Sequence, residues 1–337
     1  MITVGILGAG SIARTHMRAY GQLPNTRIVA VCDILPDRAT AMAAPLDAQP
    51  YEDWAAFLTH PGMDMVDVCL PTYLHEQGVI GAAAAGKHVL CEKPITLTTG
   101  QADQMIAAVE KAGVMAMVAQ VIRFWPHYLV IKGMLERGEL GTPLVAKLAR
   151  LGSLPAWGSW YHDPTLSGGA LLDLHIHDLD WVYYLFGAPR NVYSVGVQSA
   201  TGAWNDLTTS LDYGAHKAVI EASLLMPAGY PFTMQWRMLG SSAYAEYRYG
   251  GGQVDPQGSA RLHSLTLCRG GGLPAEDVPC AADDPYLAEI RYFVGCLEAG
   301  EPPAIATLAD ARAVLAIALA ARRSLETGAV VPITELR

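Results

Sequence analysis

Ile2-Thr3-Val4-Gly5-Ile6-Leu7-Gly8-Ala9-Gly10-Ser11-Ile12-Ala13 decides how the first part of this chain folds. Residues 2–7 are a continuous apolar and β-branched run, as in a parallel strand buried on both faces, and glycines follow at once. Gly8 permits a tight turn, Gly10 lets a backbone approach a pyrophosphate, and Ala13 stands where only a small residue allows close helix packing. A helix is predicted over 11–20 and a second strand over 27–32. That strand ends at Asp33, about twenty residues beyond the loop, where a carboxylate binds a ribose 2′-hydroxyl. Gly8, Gly10, Ser11, Ile12 and Asp33 therefore read as a dinucleotide site. Asp33 repels a 2′-phosphate, which favours NAD over NADP, although nearby Arg38 can accommodate a phosphate if its side chain swings in.

Outward from this unit, strand-like runs at 65–70, 87–90 and 114–118 alternate with helical stretches that include 78–85 and 100–112, the rhythm of βαβ units. Pro71-Thr72-Tyr73-Leu74-His75 follows the 65–70 strand, at the carboxyl edge where open α/β sheets bind ligands. Pro71, Thr72 and His75 are assigned to the cofactor cleft; Tyr73 and His75 read equally as packing or helix-start residues, with Thr72 as the N-cap. Cys91-Glu92-Lys93-Pro94 closes the 87–90 run, adding Glu92 and Lys93 to the cofactor set. A dinucleotide loop with a reactive-looking lysine points to redox chemistry.

A length of 337 residues gives room for two domains, and 51% apolar residues suffice for sizeable cores. A formal charge of −9 with no basic run argues against a nucleic-acid partner. No apolar run approaches bilayer-spanning length, and Met1-Ile2-Thr3-Val4 enters a strand without a basic leader, so no membrane partner and a cytoplasmic location are expected. Cys32, Cys69, Cys91, Cys268, Cys280 and Cys296 are scattered with no C-x-x-C pair, and they read as reduced, mostly buried thiols.

With Glu92-Lys93-Pro94, then Arg123-Phe124, then Gly168-Gly169-Ala170-Leu171-Leu172-Asp173-Leu174-His175-Ile176-His177-Asp178-Leu179-Asp180, the chain resembles the Gfo/Idh/MocA oxidoreductases over nearly its whole length. That group contains glucose-fructose oxidoreductase and inositol dehydrogenases. The resemblance implies a Lys-Pro bond that is usually cis and aims Lys93 into the active cleft. Residues 170–186 have helical spacing, so Asp173 and His177, four apart, share one face and a carboxylate can orient an imidazole. Lys93, Asp173 and His177 read as the catalytic set, and the resemblance implies His177 as acid/base, Lys93 polarising the substrate oxygen and Asp173 binding substrate and orienting the histidine, with the roles of Lys93 and His177 interchangeable. The cluster of His175, His177, Asp173 and Asp178 invites a metal reading. Residues two apart on a helix point about 200 degrees apart, so both histidines cannot ligate one ion unless the helix is broken, and no metal is expected. His175 is expected to line the pocket or to hydrogen-bond in the core, and Asp178 and Asp180 to face solvent or support the helix start.

After Gln120 the rhythm changes: a helix over 126–137, a strand over 143–151, then a loop with Trp157, Trp160, Tyr161 and His162. Aromatic faces suit the C–H face of a pyranose or cyclitol, and Arg123, His127 and His162 have the chemistry to bind hydroxyls; Arg123, Trp160 and His175 form the substrate-binding set. Alternating runs at 208–213, 217–225 and 233–239 read as a largely antiparallel sheet, 250–272 as a glycine-rich loop around a short strand, and 285–298 and 308–327 as helices. The expected fold class is α/β: an N-terminal Rossmann dinucleotide-binding domain over 1–122, then a C-terminal α+β domain over 123–337 with a large, mostly antiparallel open sheet for substrate binding and oligomerisation. The resemblance implies a homodimer or homotetramer through that sheet.

The expected activity is NAD-dependent hydride transfer between nicotinamide and a secondary hydroxyl or ketone of a sugar, sugar derivative or cyclitol. Two alternatives come with the resemblance: redox-neutral glycoside cleavage through tightly held NAD, and a non-catalytic dinucleotide-binding regulator. The intact Lys93, Asp173 and His177 set argues against the regulator.

Overall fold

The computed structural model describes residues 1–155, 159–251, 262–281 and 283–333. The chain divides into two units, Met1–Phe124 with Asp283–Arg312, and Trp125–Ala282 with Ala313–Arg337.

In the first unit the apolar runs become parallel strands and the segments between them helices. In chain order they are β1 (Ile2–Leu7), α1 (Ser11–Tyr20), β2 (Thr26–Cys32), α2 (Pro36–Ala43), β3 (Gln49–Tyr51), α3 (Trp54–Leu58), β4 (Met65–Val68), α4 (His75–Ala84), β5 (His88–Glu92), α5 (Thr99–Ala112) and β6 (Ala116–Ala119). All six strands pair in parallel in the order β3-β2-β1-β4-β5-β6. The order reverses between β1 and β4, which makes the carboxyl edge there the ligand-binding crevice of such sheets. Strands β4 and β6 are buried at every position, as hydrophobicity without alternation requires. Thr98 caps α5 by accepting from the Gln101 N–H. Thr72, expected as a helix cap, does not cap: it lies buried in a 3₁₀ turn, Thr72–Leu74, and no side chain caps α4.

The second unit holds α6 (Pro126–Glu136), β7 (Pro143–Leu151), α7 (Pro164–Ser167), α8 (Gly169–Asp173), α9 (His175–Phe186) and strands β8 (Asn191–Gln198), β9 (Trp204–Asp212), β10 (Lys217–Ser223), β11 (Phe232–Gly240), β12 (Tyr244–Gly251), β13 (Leu262–Cys268) and β14 (Glu276–Asp277). After α10 (Pro285–Ala299) and α11 (Leu308–Thr327), β15 (Val331–Pro332) completes a nine-stranded sheet ordered β14-β13-β12-β11-β7-β10-β9-β8-β15. Its pairs are antiparallel except β7 with β10. Burial alternates along its strands: Ala146, Leu148 and Arg150 on β7, and Met234, Trp236 and Met238 on β11, are buried between more exposed neighbours. One face is therefore core and the other is not.

The boundary at 122/123 assigned everything downstream to the second domain, whereas 283–312 group with the first unit. There Ile290, Phe293 and Val294 of α10 share a core with Val4, Ile6 and Met117. Of the six free thiols, Cys32, Cys69 and Cys91 are buried and the other three are only partly so. Among the described residues no helix is long and apolar enough to cross a membrane.

Candidate active site

At the carboxyl edge of the parallel sheet, β1 turns into α1 through Gly8, whose φ of +99° is closed to ordinary side chains and where a Cβ would stand 2.6 Å from the Cys69 carbonyl oxygen. Gly10 differs: a Cβ there would meet no protein atom within 4 Å, so the space beside it is open. Gly10 is also the N-cap of α1, and no side chain accepts from the first-turn N–H groups. That combination of open space, amide donors and a helix N-terminus fits a pyrophosphate. Asp33 accepts from Ala9 N–H at 2.8 Å through Oδ2 and from Leu35 N–H at 2.9 Å through Oδ1. Each carboxylate oxygen has a second lone pair for a ribose diol. The residues present fit a dinucleotide: the open turn from Gly8 to Ile12 would hold phosphates and the Asp33 carboxylate a ribose.

Along the same edge β5 ends in Glu92, with Lys93 half-buried and the Lys93-Pro94 bond cis. Glu92 is buried; its Oε2 accepts from Lys93 N–H at 2.9 Å and its Oε1 lies 3.2 Å from His16 Nε2. Pro71 remains partly exposed, but His75, assigned to the cofactor, is sealed at 1% exposure. Its Nδ1 lies 2.8 Å from the Pro94 carbonyl and its Nε2 2.8 Å from the Leu70 carbonyl. Burial lowers its pKa, and those carbonyls oppose the shift. The ring is turned toward backbone, so the cofactor assignment of its side chain is corrected. Thr72 is likewise buried.

Arg123 also departs from its assignment. Its side chain is 1% exposed and Nη1 donates to Asp310 Oδ2 at 2.9 Å, so it ties the chain to the start of α11 and presents no surface to a substrate.

In the second unit the helix predicted over 170–186 is broken. Helix α8 ends at Asp173, Leu174 takes φ −104° and ψ −51°, and α9 starts at His175. Asp173 and His177 thus stand on either side of an interruption and do not share one continuous face. Both are half-buried, whereas Leu172, Leu174, His175 and Ile176 are buried. Tyr161 O–H donates to Asp173 Oδ1 at 3.2 Å. Asp173 lines a cavity of about 190 Å³ with Tyr161, Leu174, Leu224, Tyr230 and Phe232. That wall mixes aromatic faces with a carboxylate and phenolic hydroxyls, the chemistry that takes a polyol.

Of the two expectations for His175, core hydrogen bonding is the one observed: it is fully buried, with Nε2 2.8 Å from Thr209 Oγ1, and burial pushes its pKa down to about 3. Asp178 and Asp180 do not face solvent; both are fully buried. Asp178 takes a two-pronged bond from Arg150, Nε to Oδ2 at 3.0 Å and Nη2 to Oδ1 at 2.9 Å, which fastens α9 to β7. Trp160 is partly exposed with its ring centroid 4.2 Å from that of Tyr161, and His162 is exposed. Trp157 lies outside the described residues.

The sequence reading gave no site role to His16, Asp67 or Cys69, the last being read only as a buried thiol. His16 Nδ1 lies 2.8 Å from Asp67 Oδ2, and the Cys69 thiol lies 3.4 Å from Asp67 Oδ1. The signal was an aspartate inside an otherwise apolar strand run. Their ligand atoms fall within 4.8 Å of one another, the spread of a metal site. The 2.8 Å His–Asp contact is hydrogen-bond length, shorter than the roughly 3.3 Å edge between nitrogen and oxygen ligands on tetrahedral zinc.

Residues 2–120 match the model of the oxidoreductase family with NAD-binding Rossmann fold, and 128–246 that of the GFO/IDH/MocA C-terminal domain. The chain is 33% identical over 242 residues to the uncharacterized oxidoreductase YrbE of Bacillus subtilis, covering 68% of this chain and 69% of that one. It is 28% identical to myo-inositol 2-dehydrogenase of Thermotoga maritima over 99% of both chains. The crystal structure of aldose-aldose oxidoreductase from Caulobacter crescentus, complexed with glycerol, shares the fold, with a TM-score of 0.86 at 24% identity over 98% of this chain and 99% of that one. A Rossmann sheet that reverses at an open glycine turn, Glu92-Lys93-Pro94 at its carboxyl edge and the nine-stranded second unit all agree with this, and the chain belongs to the Gfo/Idh/MocA family of NAD-binding oxidoreductases.

Proposed function

We propose that this protein is an NAD-dependent dehydrogenase acting on a secondary hydroxyl of a sugar, sugar derivative or cyclitol. The observation that carries the reading is the carboxyl edge of the first sheet, where the open Gly10 turn and Lys93 occur together. NAD supplies the hydride acceptor when bound. The chain's own residues manage the proton: Lys93 Nζ polarises the substrate oxygen and steadies the developing alkoxide, and the His177 imidazole takes the hydroxyl proton. Asp173, held by Tyr161, binds a substrate hydroxyl at the aromatic cavity wall. Asp33 selects NAD against a 2′-phosphate. The aromatic and carboxylate lining of that cavity supports a polyol, and the relative named for myo-inositol makes cyclitols the first substrates to try.

The test is absorbance of reduced cofactor with purified protein, NAD or NADP, and a panel of inositols, aldoses and glycosides. An NAD-linked signal with one polyol class, lost by about 10²-fold or more in Lys93→Ala and in His177→Ala, is expected. Release of sugar without accumulation of reduced cofactor, or unchanged turnover in both variants, overturns it.

A further inference from the structure

We propose that two buried histidines, His16 and His75, are positioning residues that clamp the segment 92–94 from both sides and so set where Lys93 stands. The proposal rests on the reading of Lys93 as a proton-handling residue beside the nicotinamide end of the cofactor.

The sheet register brings the parts together. Asp67 of β4 pairs with Leu90 of β5, so by the two-residue period of strands Asp67, Cys69, Leu90 and Glu92 point to one face. Helix α1 buries Ala13, His16, Ala19 and Tyr20, a spacing of one helix face, and places His16 against that acidic patch. His16 then touches a carboxylate at each ring nitrogen: Asp67 Oδ2 at 2.8 Å through Nδ1 and Glu92 Oε1 at 3.2 Å through Nε2. The second contact is an ion-pair approach without hydrogen-bond alignment. Glu92 spends its other oxygen on the Lys93 N–H at 2.9 Å. On the far side of Lys93, His75 lies between two backbone carbonyls, that of Pro94 2.8 Å from Nδ1 and that of Leu70 2.8 Å from Nε2.

His16 and Asp67 are fully buried and His75 and Glu92 nearly so. Burying two carboxylates and two imidazoles is costly unless they are paired, and apolar side chains would fill the same space without that penalty. Burial pulls the His16 pKa down, and Asp67 and Cys69 together more than offset it, holding the ring well above its ordinary value. What these contacts fix is the backbone on either side of Lys93, through Asp67, His16 and Glu92 at its amino side and Leu70, His75 and Pro94 at its carboxyl side. None of the side-chain contacts named here is made to Gly8 or Gly10, so their first effect falls on Lys93 and not on the turn that would hold the pyrophosphate.

The test compares NADH with ADP-ribose, which lacks the nicotinamide, in fluorescence and calorimetric titrations of wild type, His16→Leu, His16→Gln and His75→Gln. The expected result is NADH affinity reduced roughly tenfold in His16→Leu, with ADP-ribose affinity kept within about twofold and His16→Gln falling between, because a misplacement near 1 Å acts only on the group it positions. In turnover, kcat falls while the KM for the polyol holds. Equal losses for NADH and ADP-ribose would mark a merely structural role and overturn the proposal, as would NADH affinity and kcat unchanged in both His16→Gln and His75→Gln. If His16→Leu fails to fold, the two glutamine variants decide by the same criteria. The titrations need no substrate, so a wild type that binds NADH but oxidises no polyol refutes the dehydrogenase reading and leaves this comparison intact.

Discussion

Asp33 and His175 show how differently two polar residues in one chain behave. Asp33 is partly exposed at the end of β2, and its bonds from Ala9 and Leu35 hold the carboxylate in place at the carboxyl edge of the first sheet. Asp33→Asn keeps an acceptor for Ala9 but removes the charge. Its kcat/KM with NAD should fall about 10- to 100-fold, the worth of charge-assisted hydrogen bonds, while that with NADP falls less or rises. Steady-state kinetics with both cofactors check this. His175 is locked neutral in the core, its pKa taken from 6.5 down to about 3 by burial. Between those values the unfolded chain binds a proton that the folded chain refuses, so stability rises with pH across the window and is lost as pH falls from 6.5 toward 3. Denaturant unfolding at a series of pH values should show a slope of up to about 1.4 kcal/mol per pH unit from this residue, and His175→Gln should flatten it. At this scale the sequence was legible where a residue's role follows from backbone conformation, as at Gly8. It was not legible where one side chain suits both a pocket and a core. Arg123 and His75 carry the right chemistry for ligands and spend it on Asp310 and on two backbone carbonyls.

Elements were read well wherever hydrophobic period alone sets them: α1, β7 and α11 run over the residues expected. The interruption at Leu174 left no such mark, because the apolar spacing on either side still fits one helix, while the two pieces are held by different tertiary contacts. Among these are the Ala170 N–H bond to Asn205 Oδ1 at 3.0 Å on one side and the Arg150 grip on Asp178 on the other. That grip matters beyond stability, since α9 carries His177 in its first turn. Both partners are at most 3% exposed, and removing one leaves a buried charge uncompensated. Asp178→Ala should therefore destabilise the protein by about 3–5 kcal/mol, read from denaturant midpoints at constant slope. Arg150→Met with Asp178→Leu, which removes both charges, should recover a large part of that loss. Additive damage from the two changes would show that the pair does not couple α9 to β7.

For the molecule as a whole, the unit boundary shows the limit of a linear reading. Helix α10 looks like any amphipathic helix of the second domain, and only three-dimensional contact assigns Ile290, Phe293 and Val294 to the core of the first unit. The nine-stranded sheet poses the opposite case, because its alternation was visible and its consequence lies outside one chain. On β8, Val192 and Ser194 are buried, while Tyr193, Val195 and Val197 on the other face are 40%, 52% and 58% exposed. Leu239 on β11, in register with Val145 of β7, is exposed on that same face. Apolar side chains spread along one face of a long sheet gain from being covered, and a second copy would supply a self-complementary cover of the roughly 1,000 Å² or more that a stable interface needs. Sedimentation of the wild type at micromolar concentration should therefore give a dimer or tetramer. Val195→Glu with Val197→Glu, placed where the buried face is untouched, should shift it to monomer with the far-ultraviolet circular dichroism unchanged. A wild type that sediments as monomer, or a double variant that stays assembled, would rule out this face as the interface.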